Sequence, residues 1–117
     1  MAARSTPPEF SVAAVVNDGQ MVVTVRGEIT MLTAPQMDDA IDAALRIHPY
    51  TLVVDLSAVT FMDSAASDSL VRARINAIRS AVELELRGVS ATGRESLERL
   101  ELDKLFTFTP AEDGSGG

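Results

Sequence analysis

Asp63 and Ser64 stand together between the stretch Val59-Thr60-Phe61-Met62 and the pair Ala65-Ala66. Two kinds of chemistry fit that pair. Aspartate and serine are preferred N-cap residues, because their side-chain oxygens accept hydrogen bonds from the free N–H groups of a first helical turn. A serine hydroxyl at a helix start can also carry a phosphate. Such a phosphate would meet unpaired backbone N–H groups and a partial positive charge. It would add about −1.5 to −2 charge at neutral pH, enough to create or abolish an interface. On the residues alone both readings stand, a structural cap and a modifiable contact.

The rest of the chain offers little chemistry. His48 is the only histidine and sits beside Pro49. A nucleophilic triad would have to use it, and nothing in the sequence points it at a nucleophile. It reads as a surface residue near a helix C-terminus, where its charged form is mildly favoured. Asp38, Asp39 and Asp42 fall on the polar side of a helical pattern, the usual place for a solvated face. No set of residues has metal-ligand spacing. Neither GxGxxG nor GxxxxGK occurs. Cysteine is absent, which removes disulfides, thiol catalysis and cysteine metal sites. The expectation is a non-enzymatic protein with no cofactor and no metal, acting by binding a partner.

The 117 residues suit one domain, and hydrophobic residues make up 46% of them. Aromatics are 4% and tryptophan is absent, so the core must be aliphatic. The formal net charge is −7, which argues against nucleic acid and against an anionic membrane surface. Residues 1–8 carry no apolar signal segment, and no apolar run approaches a membrane span. A cytoplasmic protein is expected. Pro7-Pro8 closes what reads as a disordered lead over 1–8. Residues 111–117, rich in glycine, read as a flexible tail, leaving the domain at 9–110.

The elements that must position Asp63 and Ser64 emerge from periodicity. Phe10, Val12, Ala14 and Val16 alternate as in a strand, and Asn17-Asp18-Gly19 signals a turn into Met21–Arg26, a Val/Thr-rich partner. Thr33-Ala-Pro-Gln36 fits a capping box, with Met37, Ile41, Ala44 and Leu45 repeating at helical spacing up to Pro49. Thr51–Leu56 is a short, nearly continuous apolar run, as in a strand buried on both faces. Ala65–Arg79 reads as a helix with Leu70, Val71, Ala73, Ile75, Ala77 and Ile78 on its apolar arc. Arg74 falls inside that arc and is expected to lay its stem on the core with its head in water. Val82, Leu84 and Leu86 alternate with charged residues as in a half-wet strand, and Thr92-Gly-Arg-Glu95 suggests another capping box before Leu97 and Leu100. Leu105, Phe106 and Phe108 would close the core, as a last short strand. The fold class is α/β: a mixed, mostly parallel sheet of four to five strands, an N-terminal antiparallel edge hairpin and helices packed against it.

Asp55-Leu-Ser-Ala-Val-Thr-Phe-Met-Asp63-Ser64 resembles the signature of STAS domains of the bacterial anti-sigma factor antagonist type. The resemblance covers nearly the whole domain. Arg26-Gly27-Glu28-Ile29 is similar to the family's turn after the second strand, and Thr33-Ala34-Pro35 to the start of its first helix. Leu84-Glu-Leu-Arg-Gly-Val-Ser90 and Leu100-Glu-Leu-Asp-Lys-Leu-Phe106 resemble its later strand and closing pattern. The resemblance implies a binding protein for an anti-sigma factor, often a serine kinase of the histidine-kinase-like ATPase class. Binding frees a sigma factor to direct transcription. It further implies Ser64 as the phosphorylated residue. ATP and magnesium would belong to the kinase. Glu28, Thr30, Met31, Asp63, Ser64 and Ser67 are the expected partner-binding residues.

The family typically reads Asp-Ser-[Ser/Thr]-Gly-Leu-Gly where this chain has Asp63-Ser64-Ala65-Ala66-Ser67-Asp68. Ala66 and Asp68 replace two glycines, Ser67 replaces an apolar contact residue, and Thr30 stands where the family's turn has aspartate. These replacements leave the fold expectation in place, since alanine and serine start a helix well. Asp68 would repel a phosphate on the same side as Ser64. A second reading therefore accompanies the first: a STAS interaction module, acting as a constitutive scaffold or as a subunit of a transport or signalling complex, without a phosphoswitch.

Overall fold

A computed structural model describes residues 9–112, so the lead expected over 1–8 and most of the expected tail lie outside the described residues. The order is β1 (Ser11–Asn17), β2 (Gln20–Ile29), α1 (Ala34–Arg46), β3 (Thr51–Met62), α2 (Ser64–Arg79), β4 (Glu83–Arg87), α3 (Ala91–Arg99), a 3-10 turn (Asp103–Leu105) and β5 (Thr107–Thr109). The strands form one five-stranded sheet in sequence order, β1-β2-β3-β4-β5. β1 runs antiparallel to β2 across the Asp18-Gly19 turn, and the other pairs are parallel. Parallel neighbours need a crossover, and each one here carries a helix.

The register places Ala14, Val23, Val54, Leu86 and Phe108 in one cross-strand row. The helices cover this face. Met37, Ile41, Ala44 and Leu45 of α1, with Leu70, Ala73 and Ala77 of α2, share a buried cluster with Val23, Val25, Leu52, Val54, Leu56 and Leu86. The α3 side chain Arg94 lies over the Phe108 ring, 3.9 Å from its centroid, which puts α3 on the same side. The first helix buries all four apolar residues its spacing predicts.

Several local expectations are corrected. β3 runs on to Met62, six residues past the apolar run that ends at Leu56. Its second half alternates weakly because it lies at the sheet's rim, beside the end of β2. Ile75 and Ile78 of α2 are exposed, whereas Ser67 and Ser69 are buried. Close packing of α2 against α1 and the sheet selects small residues, so the buried stripe is set by size as much as by hydropathy. Arg74 does lie half-buried, its Nε donating to the Leu105 carbonyl. Thr33 flanks α1 but makes no capping bond, because its backbone is already helical (φ −106°, ψ −23°). α3 starts earlier than the Thr92 box predicts: Ser90, in extended backbone, accepts from Gly93 N–H at 3.0 Å.

Two register shifts against β2 bend β3 before it reaches Asp63. Thr24 and Arg26 pair with Asp55 and Ala58, and Gly27 and Glu28 with Val59 and Phe61, so β3 has one extra residue in each interval. Such bulges turn a strand and re-aim the residues beyond them. Gly27, between the two shifts, has φ +92°, a value a side chain would strain.

Candidate functional site

The ends of β2 and β3 are joined at a corner. Asp63 N–H donates to the Ile29 carbonyl at 3.1 Å, continuing the β2–β3 ladder by one bond. The chain then leaves in two directions, through Thr30–Thr33 into α1 and through Asp63 into α2. Asp63 has extended backbone (φ −100°, ψ −171°) and is the N-cap of α2. Its Oδ1 accepts from Ala65 N–H at 2.8 Å and Ala66 N–H at 3.3 Å, and its Oδ2 accepts from Met31 N–H at 3.3 Å. One carboxylate therefore ties the start of α2 to the loop before α1. Capping α2 and fixing the loop before α1 are thus two roles of one side chain.

The loop is fixed from within as well. Thr33 Oγ1 accepts from Thr30 N–H at 2.9 Å and donates to the Glu28 carbonyl at 2.7 Å. The Thr30 carbonyl accepts from Thr33 and Ala34, and the Thr30 hydroxyl from Leu32 N–H. This closes the backbone polar groups of a tight loop onto itself and turns Met31 and Leu32 outward, 74% and 83% exposed. Phe61, near the end of β3, is 53% exposed. Large apolar side chains facing water beside a polar rim are a feature of protein interaction surfaces.

Of the expected partner-binding residues, Thr30, Met31, Asp63 and Ser64 meet at the corner, with Glu28 exposed on the approaching end of β2. Ser64 is the first residue of α2 and is exposed, so its hydroxyl is open to solvent. Ser67 lies one turn further and is only 3% exposed. It lines the wall of a cavity under the corner rather than the outer surface. Asp68 is exposed one helical turn from Ser64, on the same side of α2.

Sequence reasoning missed several neighbours. Leu32 and Phe61 carry a signal in hindsight: an apolar pair in a capped loop, and an aromatic at a strand end that has already left the core. Ser96, Arg99 and Leu100 of the α3 region carry none. They join Met62, Asp63, Ser64 and Ser67 around a cavity of about 190 Å³ only because α3 docks beside the start of α2. A second cavity of about 360 Å³ continues from Met62 and Ser96 between Phe61, Ser90 and Gly93.

His48 is at the other end of the sheet, between α1 and the start of β3, with φ +55°. The length of β3 separates it from Ser64, roughly 35 Å for a strand of this size. It cannot act on that hydroxyl within one chain. Among the described residues no group of three or more histidines, cysteines or carboxylates could hold a metal, and no helix is long and apolar enough to cross a membrane.

Comparison with known proteins agrees with this geometry. The STAS domain model matches residues 11–114, which includes every element described above. The anti-sigma-F factor antagonist RsfB of Mycobacterium tuberculosis is 29% identical over 114 residues, covering 97% of this chain and 93% of its own length. The crystal structure of an anti-sigma factor antagonist from Mycobacterium paratuberculosis superimposes with a TM-score of 0.80 at 31% identity, over 92% of each chain. Unphosphorylated SpoIIAA, an anti-sigma factor antagonist, has the same fold, with a TM-score of 0.72 at 18% identity over 92% of each chain.

Proposed function

Because the chain belongs to the STAS domain family, we propose that it is an anti-sigma factor antagonist whose docking face is the corner built around Asp63. Its partner is an anti-sigma factor that is also a serine kinase of the histidine-kinase-like ATPase class. The face comprises Glu28, Thr30, Met31 and Ser64, extended by Leu32 and Phe61. Ser64 is the switch. Its Oγ–P bond forms as the γ-phosphate of ATP breaks from ADP, and the hydroxyl proton passes to a base on the kinase. ATP and magnesium stay with that partner. The phosphate then places up to two negative charges beside Met31 and Leu32, where an apolar contact would otherwise form, and the complex separates.

The observation that carries this reading is the division of labour between the two residues at the corner. Asp63 spends its carboxylate on Ala65, Ala66 and Met31, while Ser64 beside it is left exposed on the first turn of α2. The cap explains the aspartate, while the exposed hydroxyl beside it is open to modification at a corner where the same aspartate holds the loop of exposed Met31. The domain acts by binding, not as an enzyme. Incubation with its cognate anti-sigma kinase and ATP, followed by affinity measurement, tests the proposal. Wild type should acquire one phosphate and lose affinity, and Ser64→Glu should bind weakly from the start. An unmodified Ser64, together with unchanged binding by Ser64→Glu, removes the switch.

A second reading, a STAS module that binds constitutively, is favoured by Asp68. Its carboxylate is exposed one turn from Ser64 and opposes a phosphate there. Under that reading Ser64→Glu leaves binding unchanged and Met31→Ala still weakens it.

A further inference from the structure

The cavity beside Ser64 brings three serines and an arginine together. Ser64, Ser67, Ser96 and Arg99 are among the residues that line its volume of about 190 Å³. Ser67 is 3% exposed and is one of the residues that line this cavity. Arg99 is the last residue of α3 and forms no ion pair among the described residues. Asp63, which also lines the cavity, has its carboxylate committed to three backbone N–H groups. The other polar residues of the lining are Ser64, Ser67, Ser96 and Arg99, beside the apolar Met62 and Leu100, with one positive charge and no further carboxylate among them. That is the chemistry of an anion receptor.

We propose that this cavity is the receptor for the phosphate of phosphorylated Ser64, with Arg99 as its counter-ion and the Ser67 and Ser96 hydroxyls as further donors. The inference rests on the phosphoswitch reading above. It adds what the phosphate does once formed. The phosphoserine side chain turns from solvent toward α3 and is held there, bridging the start of α2 to the end of α3. Arg99 offsets the repulsion from Asp68, so that a phosphate is accommodated next to an acidic residue. The switch then has two parts: charge added at the docking face, and a side chain withdrawn from it.

The test uses the full chain with phosphoserine placed at position 64 during synthesis, so it does not depend on whether any kinase modifies Ser64. The phosphate's second ionisation is followed by phosphorus NMR. The charged residues that line the cavity are Asp63 and Arg99, with Asp68 exposed one turn along α2, and of these only Arg99 favours the dianion. Arg99→Gln should raise the titration midpoint by about half a unit or more, the scale of a lost charge partner at a partly exposed site. Ser67→Ala should shift it the same way by less. Arg72→Gln is the control, since Arg72 pairs with Asp38 on the α1 side of α2 and should leave the midpoint in place. Superimposable curves for wild type and Arg99→Gln overturn the receptor. An equal shift from Arg72→Gln also overturns it, because the effect would then be general charge rather than contact. Both arginine variants change exposed residues, so folding is not at risk. Failure of the kinase assay, by contrast, counts against the switch itself.

Discussion

Replacing Asp63 with alanine removes three hydrogen bonds at once, to Ala65, Ala66 and Met31. Loss of an aspartate N-cap costs about 1 kcal/mol. The bond to Met31 N–H is long, at 3.3 Å, and near solvent. It adds about 0.5–1 kcal/mol, the lower range for a net hydrogen bond. The sum is about 1.5–2 kcal/mol, which for a domain of roughly 100 residues lowers Tm by about 7–10 °C. Asparagine is as good a cap as aspartate, so Asp63→Asn should lose less than about half of that. Thermal unfolding followed by circular dichroism gives the comparison, and amide exchange gives its location. Met31, Ala65 and Ala66 should exchange faster in Asp63→Ala, with core amides such as Val54 tracking only the global change. A melting point within about 2 °C of wild type would refute the claim that this carboxylate clasps the two loops. So would faster exchange at Ala65 and Ala66 with Met31 unaffected.

The fold predicts four further outcomes. Ser90→Ala should cost about 1 kcal/mol in urea unfolding while Thr92→Ala costs less than about 0.5, because Ser90 holds the cap of α3. Leu86→Ala, in the fully buried centre of the sheet, should cost about 2–5 kcal/mol by the same measurement. Gly88→Ala should be strongly destabilising, since its φ is +69° and an added Cβ would sit 2.6 Å from Ser57 Cβ. Ile78→Gln, on the exposed side of α2, should change stability by no more than about 0.5 kcal/mol.

The element order was legible because each element carries its own period. The strict alternation of Val82–Arg87 and the helical spacing of Met37–Leu45 each match one structure only. The corner was legible in part. Asp63 at a helix start is a local signal, and the cap is where local chemistry puts it. Its bond to Met31, 32 residues away in the chain, has no local signature. The two capping boxes misled for the same reason. A Thr with Gln or Glu three residues on satisfies the pattern, but Thr33 is held by the end of β2, and Ser90 reaches Gly93 first. Ile75 and Ile78 misled because a helical wheel ranks residues by hydropathy, while the tight α1–α2 contact admits alanine and serine. Arg99 could not have been placed from sequence, because its position depends on how α3 docks.

The most direct test of the proposed phosphoswitch is the affinity of this chain for the anti-sigma kinase proposed as its partner, before and after phosphorylation, with the modified residue identified by mass spectrometry. The predicted result is a single phosphate on Ser64 and a loss of affinity of at least about tenfold, equivalent to about 1.4 kcal/mol. A phosphate placed elsewhere, or a complex that holds equally well with Ser64 phosphorylated, would contradict it.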